Sequence, residues 1–397
     1  MPAAPLNAGA LVSTPVPAAV GGGSAPSTPA LPSIGVEEEF LLLDRTTGLP
    51  VPVAGPVLAL ARSVEAAADA ELQPEILRSQ VETATPVCTA LEELSASLRG
   101  SRRALALAAE EHHVGLGATG TAPDCHPEQL VTQNTRYLAM RRAAGGLVDE
   151  QLVNGMHVHV EVPDREVGVQ VMNRLRPYLP LLLAFSANSP MWRGRDTGFA
   201  SWRAVHTQRW PVEGSPPHFT DVTEHDEHLQ ALLRTGVIMD LGMVYWQARL
   251  SERFPTVEVR VADVAPDVLS AVAFAGLVRG LVVQALADEA GDRPCPAPSA
   301  SILRAASWQA ARHGLEGELV LPETLSGATP RLAPAVGVVH EVASRCTSLL
   351  GEEGETVLSL VESVLERGNG ARRQREALEQ GGLPALVSLV CEVPGDF

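Results

Sequence analysis

The sequence predicts an α+β fold: an antiparallel β-sheet with one polar face, its other face covered by helices. Three observations predict it. Several segments alternate polar and apolar residues with period two, turn signals join some of them as hairpins, and long stretches of helical periodicity separate the others. No internal repeat is evident, and residues 34–397 read as one domain.

The elements follow in order. Residues 1–33 hold no charged side chain and are rich in Ala, Pro, Gly, Ser and Thr, with a Gly21-Gly22-Gly23 run. Such a segment buries too little apolar surface to offset the entropy of ordering it, so it reads as a disordered tail. It lacks the basic start and compact apolar centre of a secretory signal. An extended segment begins at Ile34 and ends at the turn signal Asp44-Arg45-Thr46-Thr47-Gly48. A strand-like stretch covers 71–85. Thr89-Ala90-Leu91-Glu92 reads as a capping box opening a helix to about His113, with Leu91, Leu94, Leu98 and Leu105 along one stripe. Residues 153–162 alternate as a strand, and helical patterns occupy about 166–187, 225–235, 266–289, 299–313 and 334–367. Residues 245–250 and 256–261 alternate as strands.

Composition excludes whole classes of chemistry. The 397 residues carry 30 Lys+Arg against 47 Asp+Glu, and all 30 cations are arginine. A Walker-A loop, a protein-kinase strand lysine, a pyridoxal Schiff base and a Ser-x-x-Lys acylase each need an amine that is missing. Phosphate must then be met by arginine, metal ions or backbone N–H groups. The net charge of -17, with no basic stripe, argues against a nucleic-acid partner. Five dispersed cysteines without a C-x-x-C pair favour a reduced, cytoplasmic chain. No membrane span is evident; the longest apolar candidate, 177–192, is short and interrupted.

Four segments concentrate reactive side chains. In Gly35-Val36-Glu37-Glu38-Glu39, strand geometry sets Glu37 and Glu39 on one face about 7 Å apart, a pairing that a cation would stabilise. Solvation of an exposed strand face explains the same pair. In Met156-His157-Val158-His159-Val160-Glu161, the two histidines and the carboxylate share a face and suit a divalent ion or phosphate oxygens, or form the exposed polar face of a half-buried strand. In Thr256-Val257-Glu258-Val259-Arg260, one face offers a carboxylate and a guanidinium, which cross-strand ion pairing would equally explain. Glu75 and Glu82 add two carboxylates. Residues 188–203, with Arg193, Arg195, Arg203 and two tryptophans, form a candidate anion-binding loop, or a loop that its tryptophans anchor to the core.

The order of these motifs resembles the type 2 glutamate-cysteine ligase family of carboxylate-amine ligases. The residues carrying it are Gly35-x-Glu37-x-Glu39, Val81-Glu82-x-x-Thr85, His157-Val-His159-Val, Asn188-Ser-Pro with Asp196-Thr-Gly-x-Ala-Ser-x-Arg203, Thr256-x-Glu258-Val-Arg260 and Trp308-x-Ala-Ala-Arg312-x-Gly-Leu. The resemblance implies a glutamine synthetase-like sheet forming an active-site cup, ATP and Mg2+ as cofactors, and small amino acids as substrates. It implies one ion held by Glu39, Glu75 and Glu82, a second by Glu37, His157 and Glu258, and His159 near the nucleotide. Arg260, Arg203 and Arg249 would neutralise the transferred phosphoryl group and a substrate carboxylate. The implied reaction forms an amide through an acyl phosphate, with γ-glutamyl transfer to an amine as the family case. Ala122, Glu161, Met191 and Gln247 depart from the family pattern, which leaves the amine and the acid open; a specialised biosynthetic ligase, a phosphotransferase that makes no amide, and a ligand-binding scaffold are the alternatives. The acidic surface and long helices permit a homodimer.

Overall fold

A computed structural model describes residues 30–64, 69–125, 129–327 and 329–391, of which the chain from Leu31 onward forms one compact unit. The tail expected over 1–33 falls outside the described residues as far as residue 29. Its last residues are fastened to the fold: the Pro32 carbonyl accepts from Arg279 Nε at 2.8 Å, and Ser33 donates through N and Oγ to Glu161.

The predicted sheet is present. Its seven strands are β1 (Ile34–Leu43), β2 (Glu71–Pro74), β3 (Gln80–Ala84), β4 (Gly115–Gly117), β5 (Gly155–Glu161), β6 (Ala248–Leu250) and β7 (Thr256–Asp263). They run in the order β6-β7-β5-β1-β3-β2, with β4 beside the end of β1, and every pairing is antiparallel. One face is apolar: Val36, Met156, Val158, Val160, Val257 and Val259 pack in the core that includes Leu94 and Leu98 of the helix Leu91–Glu111 and Phe274, Leu277 and Val278 of the helix Val268–Ala290. The latter helix is 23 residues long and apolar enough to cross a membrane by length and composition, longer than the 177–192 stretch picked from the sequence; 72% of its most apolar window is buried inside the protein.

Several predicted boundaries shift for local reasons. The expected strand 71–85 splits because the backbone at 76–78 pairs with residues 130–132, Arg78 N donating to Leu130 O and Thr132 N to Ile76 O. The capping box moves by one residue: Glu93 accepts from Thr89 N, Thr89 Oγ1 and Ala90 N, and the helix starts at Leu91. The pattern at 166–187 breaks into Arg165–Leu175 and Leu179–Ser186 around Pro177 and Pro180, which lack the N–H a continuous helix needs. That at 334–367 breaks into Ala335–Thr347 and Glu353–Arg367 at Gly351, whose φ of 58° favours glycine.

Glu38 sits between the two acidic residues of the polar face and points the other way. It is fully buried, and Arg102 of the helix Leu91–Glu111 grips both of its oxygens while donating to the Ala265 carbonyl at 3.0 Å. A buried pair is strongly destabilised when only one partner is removed. Arg102→Ala is therefore expected to lower unfolding free energy by about 3–5 kcal/mol, read from denaturant titration, and the double substitution Glu38→Leu with Arg102→Met to recover most of that loss.

Candidate active site

Strand register assembles the polar face. Glu37 lies across from His157, Glu39 across from Glu82, and Glu258 across from His159 on one side and Arg249 on the other. Cross-strand partners project to the same side of a sheet, so residues more than 200 positions apart converge in one cavity of about 990 Å³. Glu37, Glu39, Glu75, Glu82, His157, His159, Arg203, Arg249, Glu258 and Arg260, the complete set named from the sequence, all line it.

The distances define two groups able to hold a cation. Ligand atoms of Glu37, Glu82 and His157 lie within 4.8 Å of one another, as do those of Glu37, His159 and Glu258. This grouping differs from the one implied by the resemblance. Glu37 belongs to both groups, His157 sits with Glu82, and His159 sits with Glu258. His157 Nδ1 is 2.9 Å from Glu37, with Glu258 and Glu39 slightly under 4 Å from its ring nitrogens. Glu39 accepts from Gly155 N at 2.6 Å, and Glu75 accepts from the backbone N–H of Ile76.

The chemistry of these donors fits a hard divalent cation such as Mg2+, which prefers carboxylate oxygens. His159 Nδ1 pairs with Thr256 Oγ1 at 3.0 Å, while its buried Nε2 makes no hydrogen bond and faces Glu37 Oε1 at 3.4 Å. That leaves a nitrogen oriented by a second contact, as ligating histidines are. Burial and then the repulsion of Glu39 push the Glu75 carboxyl up to about 7, and burial followed by Glu75, Glu37 and Glu39 raises Glu82 well above the usual carboxylate range. Acidic groups so crowded lack positive charge, which a bound divalent ion supplies. Burial and the nearby Arg260 charge lower the His157 pKa, keeping the imidazole neutral and able to ligate. Burial opposes ionisation of Glu37, yet the hydrogen bond with His157 and the His159 ring beside it hold its carboxyl far below its ordinary value.

The arginines converge on Glu258. Arg249 grips it with Nε at 2.6 Å and a terminal nitrogen at 3.2 Å; Arg260 donates to the same carboxylate and approaches His157 Nδ1 at 3.3 Å. Burial resists a charge on Glu258, but Arg260 and Arg249 together hold its carboxyl far below the usual range. Two guanidinium charges meet one carboxylate here, and Glu37 and Glu39 act on Arg260 as well, which holds the guanidinium in place as a donor for an anion. Arg203 is placed differently. Its guanidinium donates to the carbonyls of Arg260 and Val261 at 3.3 and 3.4 Å, over a bulge in β7, and is packed so tightly on Gly155 that a Cβ there would collide with it.

Of the loop 188–203, only Arg203 among the three arginines reaches the cavity; Arg193 pairs with Glu150, Arg195 is exposed, and Trp192 is buried in the core. The four departing residues also separate. Ala122 and Met191 are buried in the core, whereas Glu161, tied to Ser33, and Gln247 both line the cavity. Arg136 and Glu213 are among the cavity residues that escaped the sequence reading. Arg136, paired with Asp240 through contacts of 2.8 and 2.9 Å, sits in no alternating segment, and Glu213 lies in a two-residue strand too short to show a period.

Comparisons with known proteins identify the family. The sequence model of glutamate-cysteine ligase family 2 matches residues 33–388. A relative from Mycolicibacterium vanbaalenii, provisionally named glutamate–cysteine ligase 2-2, is 45% identical over 349 residues, 87% of this chain and 93% of the relative. A similarly named protein of Salinispora arenicola is 42% identical, covering 88% of this chain and 90% of its own. Among solved structures, glutamate–cysteine ligase from Francisella tularensis in complex with AMP aligns with a TM-score of 0.63 at 11% identity, over 91% of this chain and 88% of that one. The bifunctional glutathione synthetase from Pasteurella multocida aligns with a TM-score of 0.62 at 17% identity; 91% of this chain covers 52% of that longer one. These two likenesses are of fold. The match across nearly the whole folded region, with relatives above 40% identity, shows that this chain belongs to glutamate-cysteine ligase family 2.

Proposed function

We propose that the cup is the active site of an ATP- and Mg2+-dependent carboxylate–amine ligase that forms an amide through an acyl phosphate, with glutamate as the acid and an amino acid as the amine. The observation that carries it is the pair of cation-binding groups sharing Glu37, set beside the Arg249–Glu258–Arg260 cluster, in a member of this family. A carboxylate is a poor electrophile because oxide is a poor leaving group; phosphorylation makes phosphate the leaving group. The difficulty is bringing one anion to the γ-phosphorus of another. Arginines aimed at the transferred group meet that charge without reorganising. Glu37, Glu82, His157, His159 and Glu258, with Glu39 and Glu75 alongside, would hold magnesium, which supplies neutralisation of the phosphate oxygens. Five free cysteines support a cytoplasmic setting for such an ATP-using enzyme.

ADP release is expected to require Mg2+, an acid and an amine together, and Glu258→Gln to abolish it. Release unchanged by that substitution would sink the assignment. Ligand linkage gives a second check: at a hundredfold excess of Mg–ADP over its Kd, the folded state gains about 2.7 kcal/mol, seen as a rise in Tm that ADP with a chelator does not produce. A third concerns Gly155. Gly155→Ala displaces the Arg203 guanidinium from the bulge, and a misplacement of about 1 Å in a reacting site costs up to roughly 100-fold, so kcat is expected to fall by about that factor while Tm changes little.

A further inference from the structure

One wall of the cavity holds acceptors that the phosphate chemistry does not use. Glu213-Gly214 pairs with Tyr245-Trp246 in a short parallel ladder, and Gln247 N continues it by donating to Gly214 O at 2.8 Å. This sets the Glu213 and Gln247 side chains together on the cavity wall, where Gln247 Nε2 donates to Glu213 Oε1 at 3.3 Å. Gln247 is only 6% exposed, yet its side-chain oxygen Oε1 is buried and accepts from nothing. Glu213 makes no ion pair among the described residues, and it belongs to neither cation-binding group. Burial pushes its carboxyl up to about 7; the Gln247 hydrogen bond and the charges of Arg203 and Arg304 offset this only in part. Beside them, Arg203 keeps a buried Nε that donates to nothing.

A buried acceptor without a donor costs free energy, so such a wall is expected to receive a ligand that supplies donors. What these two acceptors lack is a compact group with several N–H donors, no acceptor and a positive charge. An ammonium is that group. We propose that Glu213 and Gln247 form the subsite for the α-ammonium of an amino-acid substrate, with Arg203 turned toward the carboxylate on the same carbon. This rests on the ligase reading and specifies which part of the cup reads the amino acid. The ammonium has two sources, the acid substrate or the amine substrate, and the test separates them.

The test is calorimetry on the full chain with Mg–ADP present. One arm titrates glutamate against glutarate, which lacks only the ammonium. The other, at saturating glutamate, titrates cysteine against 3-mercaptopropionate. In one arm the amino acid is expected to bind at least about tenfold more tightly than its desamino analogue, as a charge-assisted hydrogen bond implies. Glu213→Gln and Gln247→Leu should erase that discrimination while leaving Mg–ADP affinity within about twofold. The arm that responds identifies the source of the ammonium. If both variants keep the discrimination of the unsubstituted protein, the subsite is wrong and the ligase reading stands. If the unsubstituted protein binds neither Mg–ADP nor any of the four acids, the ligase reading falls and the subsite with it.

Discussion

Glu37→Gln is expected to lower ATP-dependent product formation by about 10³-fold or more, because Glu37 is the carboxylate common to both groups able to hold a cation. The substitution keeps size and one acceptor but removes the negative charge. Loss of that charge weakens both groups together, and a cation contributing several kcal/mol to transition-state stabilisation converts to roughly three powers of ten at 1.36 kcal/mol each. It also releases His157, whose Nδ1 meets Glu37 at 2.9 Å, and frees His159 Nε2 from its 3.4 Å contact. Steady-state rates at increasing Mg2+ check the cause. Partial rescue at high Mg2+ supports cation holding, whereas an activity within threefold of the unsubstituted protein shows that Glu37 is only part of a solvated strand face.

Arg260→Lys is the second large effect, expected at about 10²–10³-fold in kcat with nucleotide affinity retained. The change conserves charge, so a purely electrostatic role at long range would leave the rate nearly intact. Arg260 does more. Its guanidinium grips Glu258 and lies against the His157 ring, and a lysine ammonium, a single point charge on a flexible stem, cannot keep that placement and still present a fixed donor to an incoming phosphoryl group. Arginines that stabilise phosphoryl transfer contribute about 10³–10⁵ in other enzymes. Lysine recovers the charge and loses the geometry, which sets the smaller figure. A rate within threefold of the original would show that Arg260 is a structural partner of Glu258 and nothing further.

The polar face was legible in the sequence because strands alternate strictly. Glu37 and Glu39, His157 and His159, Glu258 and Arg260 could each be put on one side of its own strand before any pairing was known. Which of them touch was not legible, since register depends on contacts between distant segments: Glu37 meets His157 across 120 positions, and a slip of one residue would turn every ligand into the core. That is why the division into cation-binding groups came out differently from the one implied by family resemblance. Glu38 shows the same limit from the other side. Three consecutive glutamates look like one acidic run, and only the distant Arg102 makes the middle one a buried structural pair. Glu213 was hidden because its strand is two residues long, and Gln247 sits between two short strands that the sequence joined as one over 245–250. The helix Gly370–Cys391 was missed as well, where Gly381, Gly382 and Pro384 interrupt its periodicity with a kink.

The central claim is that ATP activates a carboxylate for attack by an amine. The most direct measurement supplies glutamate whose γ-carboxylate carries heavy oxygen, together with Mg–ATP and a pool of amino acids, and follows ADP, phosphate and condensed products by mass spectrometry. The account predicts a product lighter by one water than the sum of its two parts, formed in step with ADP, and one heavy oxygen in the released phosphate. A stable phosphorylated acid with no condensed product, or a condensed product whose phosphate carries no label, would contradict it.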